Sequence, residues 1–204
     1  MDVVPAGPVL DLGCGTGLVA EMVLDRFPTL TLFGLDSSTA MLSLAKDRLA
    51  RYGERARLVE GDLTSLDRVE APATCAAAMA VQSLHHLDEA QYRSAVGWTF
   101  DQLAPGGWFF IIDRLAIPSA TVYSAFRDLR ERQGQIPNPP DWPGYLEWLE
   151  VNGDRPLPVQ TILRLLEDAG FQAAALDVHG DRGMLVGRRP HPTLPPQAGE
   201  GITR

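Results

Sequence analysis

The chain has 204 residues, 45% of them apolar and 22% charged, and its 18 Lys and Arg against 26 Asp and Glu give a formal net charge of −8. That length favours one domain with a full core, and the balance excludes disorder as the default. An acidic chain repels polyanions on average, so neither nucleic acid nor an anionic membrane surface is an expected partner. No run approaches the roughly 20 apolar residues of a bilayer-crossing helix. The first residues lack the basic segment of a secretory signal. Cys14 and Cys75 form no CxxC pair, which fits reduced thiols in a cytoplasmic protein. Ten of the sixteen prolines follow residue 136, so the final third is expected to be organised differently from the rest.

In chain order, Val9–Leu12 reads as a buried strand that ends in Gly13, Gly15 and Gly17. A helical pattern follows from about Thr16 to Phe27. Leu30–Leu35 is a second strand, and Ser38 caps a helix from Thr39 to about Arg51. Arg57–Glu60 and Ala73–Val81 are the third and fourth strands. Asp88 starts a helix that ends near Leu103, where Pro105-Gly106-Gly107 stops it, and Trp108–Asp113 is the fifth strand. This alternation predicts an α/β fold with a doubly wound, Rossmann-like, mostly parallel sheet.

After that the rhythm breaks. Ile117–Leu157 is helical, with a Pro-rich interruption at Ile136–Pro143, and a regular helix resumes from about Val159 to Ala169. Phe171–Val178 and Met184–Gly187 face each other as a hairpin. The domain is expected to span 1–189, with 190–204 a Pro-rich disordered tail.

A glycine loop between a parallel strand and its helix places a ligand at the carboxyl end of the sheet. Gly15-Thr16-Gly17-Leu18-Val19-Ala20 also fits the dinucleotide pattern, and Asp36 stands where that pattern puts a ribose-binding acid. A nicotinamide-dependent oxidoreductase is therefore one reading. Three features point elsewhere. Asp11 sits inside the strand end, where an ionised carboxylate needs a cation or several donors. Asp62 follows the third strand on the same sheet edge, where it suits an exocyclic amine. The terminal hairpin adds an antiparallel strand that a plain dinucleotide fold does not require.

VLDLGCGTG, GLDSSTAML, VEGDLTSL, the SLHHL stretch and LAPGGWFFIID, in this order, resemble the class I S-adenosylmethionine-dependent methyltransferases. The resemblance runs from Pro8 to Arg114 and implies seven strands with the last antiparallel. It also implies S-adenosyl-L-methionine as cofactor. Asp11 with Gly13, Gly15 and Gly17 would hold the methionine moiety, and Asp36 the ribose hydroxyls. Met41 would pack near the adenine, Asp62 and the Leu63 backbone would read its edge, and Val81 would line the site from the fourth strand.

His85 and His86 follow the fourth strand beside that site. Either has the intrinsic pKa to take a proton from an acceptor; the alternative reading is that one packs while the other faces water. Adjacent histidines lack the i, i+4 spacing of a helical metal pair, so no metal is expected. Arg114, Tyr123, Trp142 and Tyr145 are the candidate acceptor contacts, with 115–158 as a helical cover. The aromatic residues also read as a patch that docks a helix, and Arg114 as one half of a surface ion pair. The function expected is in-line methyl transfer to a small organic molecule. The alternative is a protein that binds S-adenosylmethionine without transferring its methyl group.

Overall fold

The computed structural model describes residues 7–72, 74–134 and 140–191. Ile136–Pro139 of the Pro-rich interruption, and nearly all of the expected tail, lie outside the described residues.

Seven strands form one sheet: β1 (Pro8–Leu12), β2 (Thr31–Asp36), β3 (Ala56–Glu60), β4 (Cys75–Val81), β5 (Leu103–Arg114), β6 (Gln172–His179) and β7 (Arg182–Arg188), in the order β3-β2-β1-β4-β5-β7-β6. β1 to β5 pair in parallel, and β7 runs antiparallel to both β5 and β6. The expected doubly wound sheet with its antiparallel last strand is present.

Both faces are covered, which is why the inner strands read as unbroken apolar runs. Successive residues point to opposite faces, and two cores result. Leu10, Phe33, Ala78, Phe109 and Ile111 pack with Tyr92 and Val96 of helix α3 (Glu89–Gln102) and Ile162, Leu165 and Leu166 of α6 (Val159–Asp168). Val9, Leu32, Ala77 and Met79 pack with Ala20 and Leu24 of α1 (Leu18–Arg26) and Leu49 of α2 (Thr39–Leu49). Local signals set the helix starts. Ser38 Oγ accepts from the Met41 N–H (3.3 Å), and Asp88 forms a full capping box with Gln91.

β5 begins earlier than the sequence suggests. Leu103 pairs with Cys75 and Trp108 with Ala77, so the intervening Ala104–Gly107 segment is a bulge inside the strand rather than a loop before it. The helical segment after β5 contains α4 (Ala120–Arg132), capped by Ser119, and α5 (Trp142–Asn152), capped by Asp141. Among the described residues, no helix is long and apolar enough to cross a membrane.

Candidate functional site

The chain winds one way through β1, β2 and β3 and the other way through β4 and β5. A crevice therefore opens between the carboxyl ends of β1 and β4. A cavity of about 520 Å³ occupies it, lined by Gly13, Gly15, Asp36, Met41, Asp62, Leu63, Val81, Gln82 and His86 among others. Most of the residues expected to hold a cofactor thus meet in one place. At Gly13 φ is +74° and an added Cβ would stand 2.4 Å from Ser83 Cβ, because the Ser83 hydroxyl donates to the Leu12 carbonyl (2.6 Å) and closes the β1 and β4 loops on each other. Gly17 does not line the cavity. It is buried at the start of α1, where a Cβ would press on Leu49 and Ala45 of α2, so its place is structural.

Asp36 is set by its neighbours. Its Oδ2 accepts from the Gly15 N–H (2.8 Å) and its Oδ1 from the Ser38 N–H (2.9 Å), which orients the carboxylate toward the cavity end of β2. Asp62 Oδ1 accepts from the Thr64 N–H (2.8 Å), and Met41 and Leu63 supply apolar lining beside it.

Asp11 lies beneath the glycine loop, outside the lining, with Oδ2 buried and lacking a hydrogen-bond partner. Burial, with the Asp36 carboxylate nearby, pushes its carboxyl up to about 7. A raised native pKa means that the folded chain holds this proton while the unfolded chain has lost it. The contribution of this group to stability is therefore fully present below about pH 4 and is lost as pH rises toward 7. Asp11→Asn is expected to melt with wild type near pH 4 and several degrees above it at pH 8; identical melting curves at pH 8 would contradict this reading. Burial likewise pushes the Cys14 thiol up to about 12, so it stays protonated at neutral pH.

The two histidines separate. His86 is exposed and lines the cavity, whereas His85 is buried with Nδ1 2.5 Å from Asp113 Oδ1. Asp113, at the end of β5, also accepts from the backbone N–H groups of Leu84 and His85 through Oδ2 and of Arg114 through Oδ1. This carboxylate shapes the single turn Leu84–His86 and removes His85 from the surface. His85 as a base facing an acceptor is therefore corrected to a buried residue of the scaffold. Sequence reading also missed Asp154, which follows α5 and is held against this turn by the Arg155 N–H to the His85 carbonyl (2.5 Å). Its Oδ2 lies 3.2 Å from Arg114 Nε. No local motif marks Asp154; only the packing of α5 brings it there.

A second cavity of about 290 Å³ lies beyond that wall. Arg114, Arg127, Arg130 and Arg182 line it together with Tyr123, Tyr145, Trp148 and Asp181. Arg114 and Tyr145, two of the candidate acceptor contacts, thus line one cavity, and the Tyr123 hydroxyl donates to the Pro140 carbonyl (2.9 Å). Trp142 is outside the lining and packs on Tyr123 and Tyr145, with ring centroids 5.5 and 5.8 Å away, so it is corrected from an acceptor contact to a support. The arginines outnumber the single acid, and Asp181 lies 3.3 Å from Arg114 and 3.8 Å from Arg130. The two cavities share a wall, since Arg182 hydrogen-bonds Gln82 and Asp154 bridges His86 and Arg114. Gln82 is the one non-glycine residue with positive φ (+56°) among the described residues, and such strain collects at functional sites.

Residues 9–107 match the family model described as a methyltransferase domain. This match and the relatives it resembles support a class I S-adenosylmethionine-dependent methyltransferase. A trans-aconitate 2-methyltransferase of Delftia acidovorans is 30% identical over 175 residues, which is 83% of this chain and 60% of that one. Two solved structures share the fold. An O-methyltransferase family protein from Burkholderia thailandensis superposes with TM-score 0.71 at 22% identity, over 94% of this chain and 53% of that one. The YcgJ protein of Bacillus subtilis gives 0.65 at 13% identity over 93% and 94%. The chain therefore spans about 60% of the Delftia relative and half of the Burkholderia one. The family uses S-adenosylmethionine, and the first cavity fits it. It offers an oriented acid at the end of β2, an apolar shelf with a second acid after β3, and an unpaired buried carboxyl under the loop where a cationic amino group would be met.

Proposed function

We propose that the chain transfers the methyl group of S-adenosylmethionine to a carboxylate oxygen of a small organic acid. The observation that carries this reading is the arginine-lined cavity sharing a wall with the cofactor cavity. The name of the Delftia relative, whose substrate is an organic acid, supports the same class. When bound, the cofactor supplies an electrophilic sulfonium methyl. Asp36 would hold the ribose, Asp62 and Leu63 the adenine edge, and the Gly13–Gly15 loop above Asp11 the methionine end.

The remaining work falls to the protein as alignment and exclusion of water. Arg127 and Arg130 on α4 would grip one carboxylate of the acid, with Arg182 and Gln82 guiding another toward the shared wall. An ionised carboxylate is already a nucleophile. Its oxygen forms the new bond to carbon as the sulfur–carbon bond breaks, giving a methyl ester and the demethylated cofactor, and no proton has to move. No base is needed, so His86 would serve as a polar wall. Within segment 115–158, α4 and α5 act as the acceptor cover, since they supply Tyr123, Arg127, Arg130, Tyr145 and Trp148.

The direct test is turnover. The chain is incubated with methyl-labelled S-adenosylmethionine and a panel of mono-, di- and tricarboxylic acids, phenols and amines. Base-labile label in the di- or tricarboxylate arms is the expected result. Stable label on a phenol or amine would refute the acceptor class, and cofactor binding with no product from any arm would refute the transfer itself.

A further inference from the structure

We propose that His85, His86 and Asp154 form a site for one divalent metal ion of the zinc class, opening on the cofactor cavity. Asp154 Oδ1 lies 3.5 Å from His85 Nε2 and 3.3 Å from His86 Nδ1, and the three donor atoms all lie within 4.8 Å of one another. Those separations are long for N–H···O hydrogen bonds, which run about 2.7–3.2 Å. The two separations from Asp154 match the edge of a tetrahedron, about 3.3 Å when metal–ligand bonds are about 2.0–2.1 Å. Two imidazole nitrogens and one carboxylate oxygen are the donor set of a three-ligand zinc site with a fourth position open.

The groups behind these donors are arranged as a metal requires. His85 presents Nε2 because its Nδ1 is bound to Asp113, the carboxylate–histidine pairing that fixes ring orientation in such sites. Asp113 is itself anchored by three backbone N–H groups. Asp154 turns Oδ1 to the histidines because Oδ2 is engaged by Arg114. Asp113 and Asp154 are both buried, and Arg114 is the guanidinium that meets Asp154, through Oδ2, so Oδ1 stays free for a cation between the two imidazoles. His86, with 53% of its side chain exposed, lines the cofactor cavity and gives the ion a route in. The fourth position would take water or an oxygen of a ligand in that cavity. The site does not depend on which acceptor is methylated.

The test uses the whole chain, freed of metal by a chelator and titrated with Zn²⁺ alone and with Co²⁺ alone. One equivalent of Zn²⁺, with Co²⁺ giving the visible absorption of a low-symmetry nitrogen–oxygen site, is expected. H86A and D154N should each weaken Zn²⁺ binding at least tenfold, and D113N by about 10–100-fold. H179A, which removes an exposed imidazole on the hairpin, should leave it unchanged. The melting temperature reports that each variant is folded; if D154N is not, the exposed H86A decides. No uptake overturns the proposal. One equivalent that survives H86A overturns it as well, and so does loss of binding in H179A.

Discussion

Replacing Asp36 by Ala is expected to weaken binding of the demethylated cofactor by on the order of a hundredfold. The side chain would accept from two ribose hydroxyls, and hydrogen bonds to a charged group contribute about 1.5–3 kcal/mol each. Its removal also frees the Gly15 and Ser38 N–H groups that it now holds, so the loop over the methionine end loses its anchor. Calorimetric titration of wild type and Asp36→Ala measures the ratio directly. An affinity within threefold of wild type, in a chain that melts normally, would remove Asp36 from the site. Asp36→Asn separates the two contributions, since it keeps the shape and an acceptor oxygen but loses the charge.

The second large effect is expected on the acceptor side alone. Arg127 and Arg130 lie one turn apart on α4 and point into the second cavity. Arg130 stacks on Phe126 (5.2 Å) and approaches Asp181, while the acid beside Arg127 is its own neighbour Asp128. The double variant Arg127→Ala/Arg130→Ala should lower kcat/KM for a polycarboxylate by at least a hundredfold, carried mostly by KM, with cofactor affinity unchanged. A parallel loss of cofactor affinity would show that α4 supports the whole domain rather than the acceptor. Unchanged kcat/KM would move the acid out of this cavity. Arg127→Lys tests whether the fork of the guanidinium matters, because lysine keeps the charge but not the paired donors.

The lining of the first cavity was legible from the sequence because its residues are local to strand ends. The glycines after β1, Asp36 at the end of β2 and Asp62 after β3 each stand a few residues from an apolar run. A parallel sheet collects such strand ends along one edge whatever the helices do. The strand alternation, the Ser38 and Asp88 caps and the antiparallel hairpin were readable for the same reason, since pattern and turn chemistry act within a few residues.

The rest was decided by contacts between elements far apart in the chain. Nothing near His85 marks it as buried; the Asp113 carboxylate, 28 residues on, pulls it inward by taking Nδ1 and the turn's own N–H groups. Asp154 gains its place only when α5 packs over the β5 end and sets its carboxylate between two histidines and Arg114. Trp142 and Tyr145 share a sequence pattern, yet one lines the arginine cavity and the other stands behind it. The sequence by itself determined an acidic α/β domain with a cofactor edge, through short-range pattern and spacing. Only the tertiary structure decided the arginine cavity and the buried His–Asp–Arg wall, because charges are brought together there at separations that no local rule encodes.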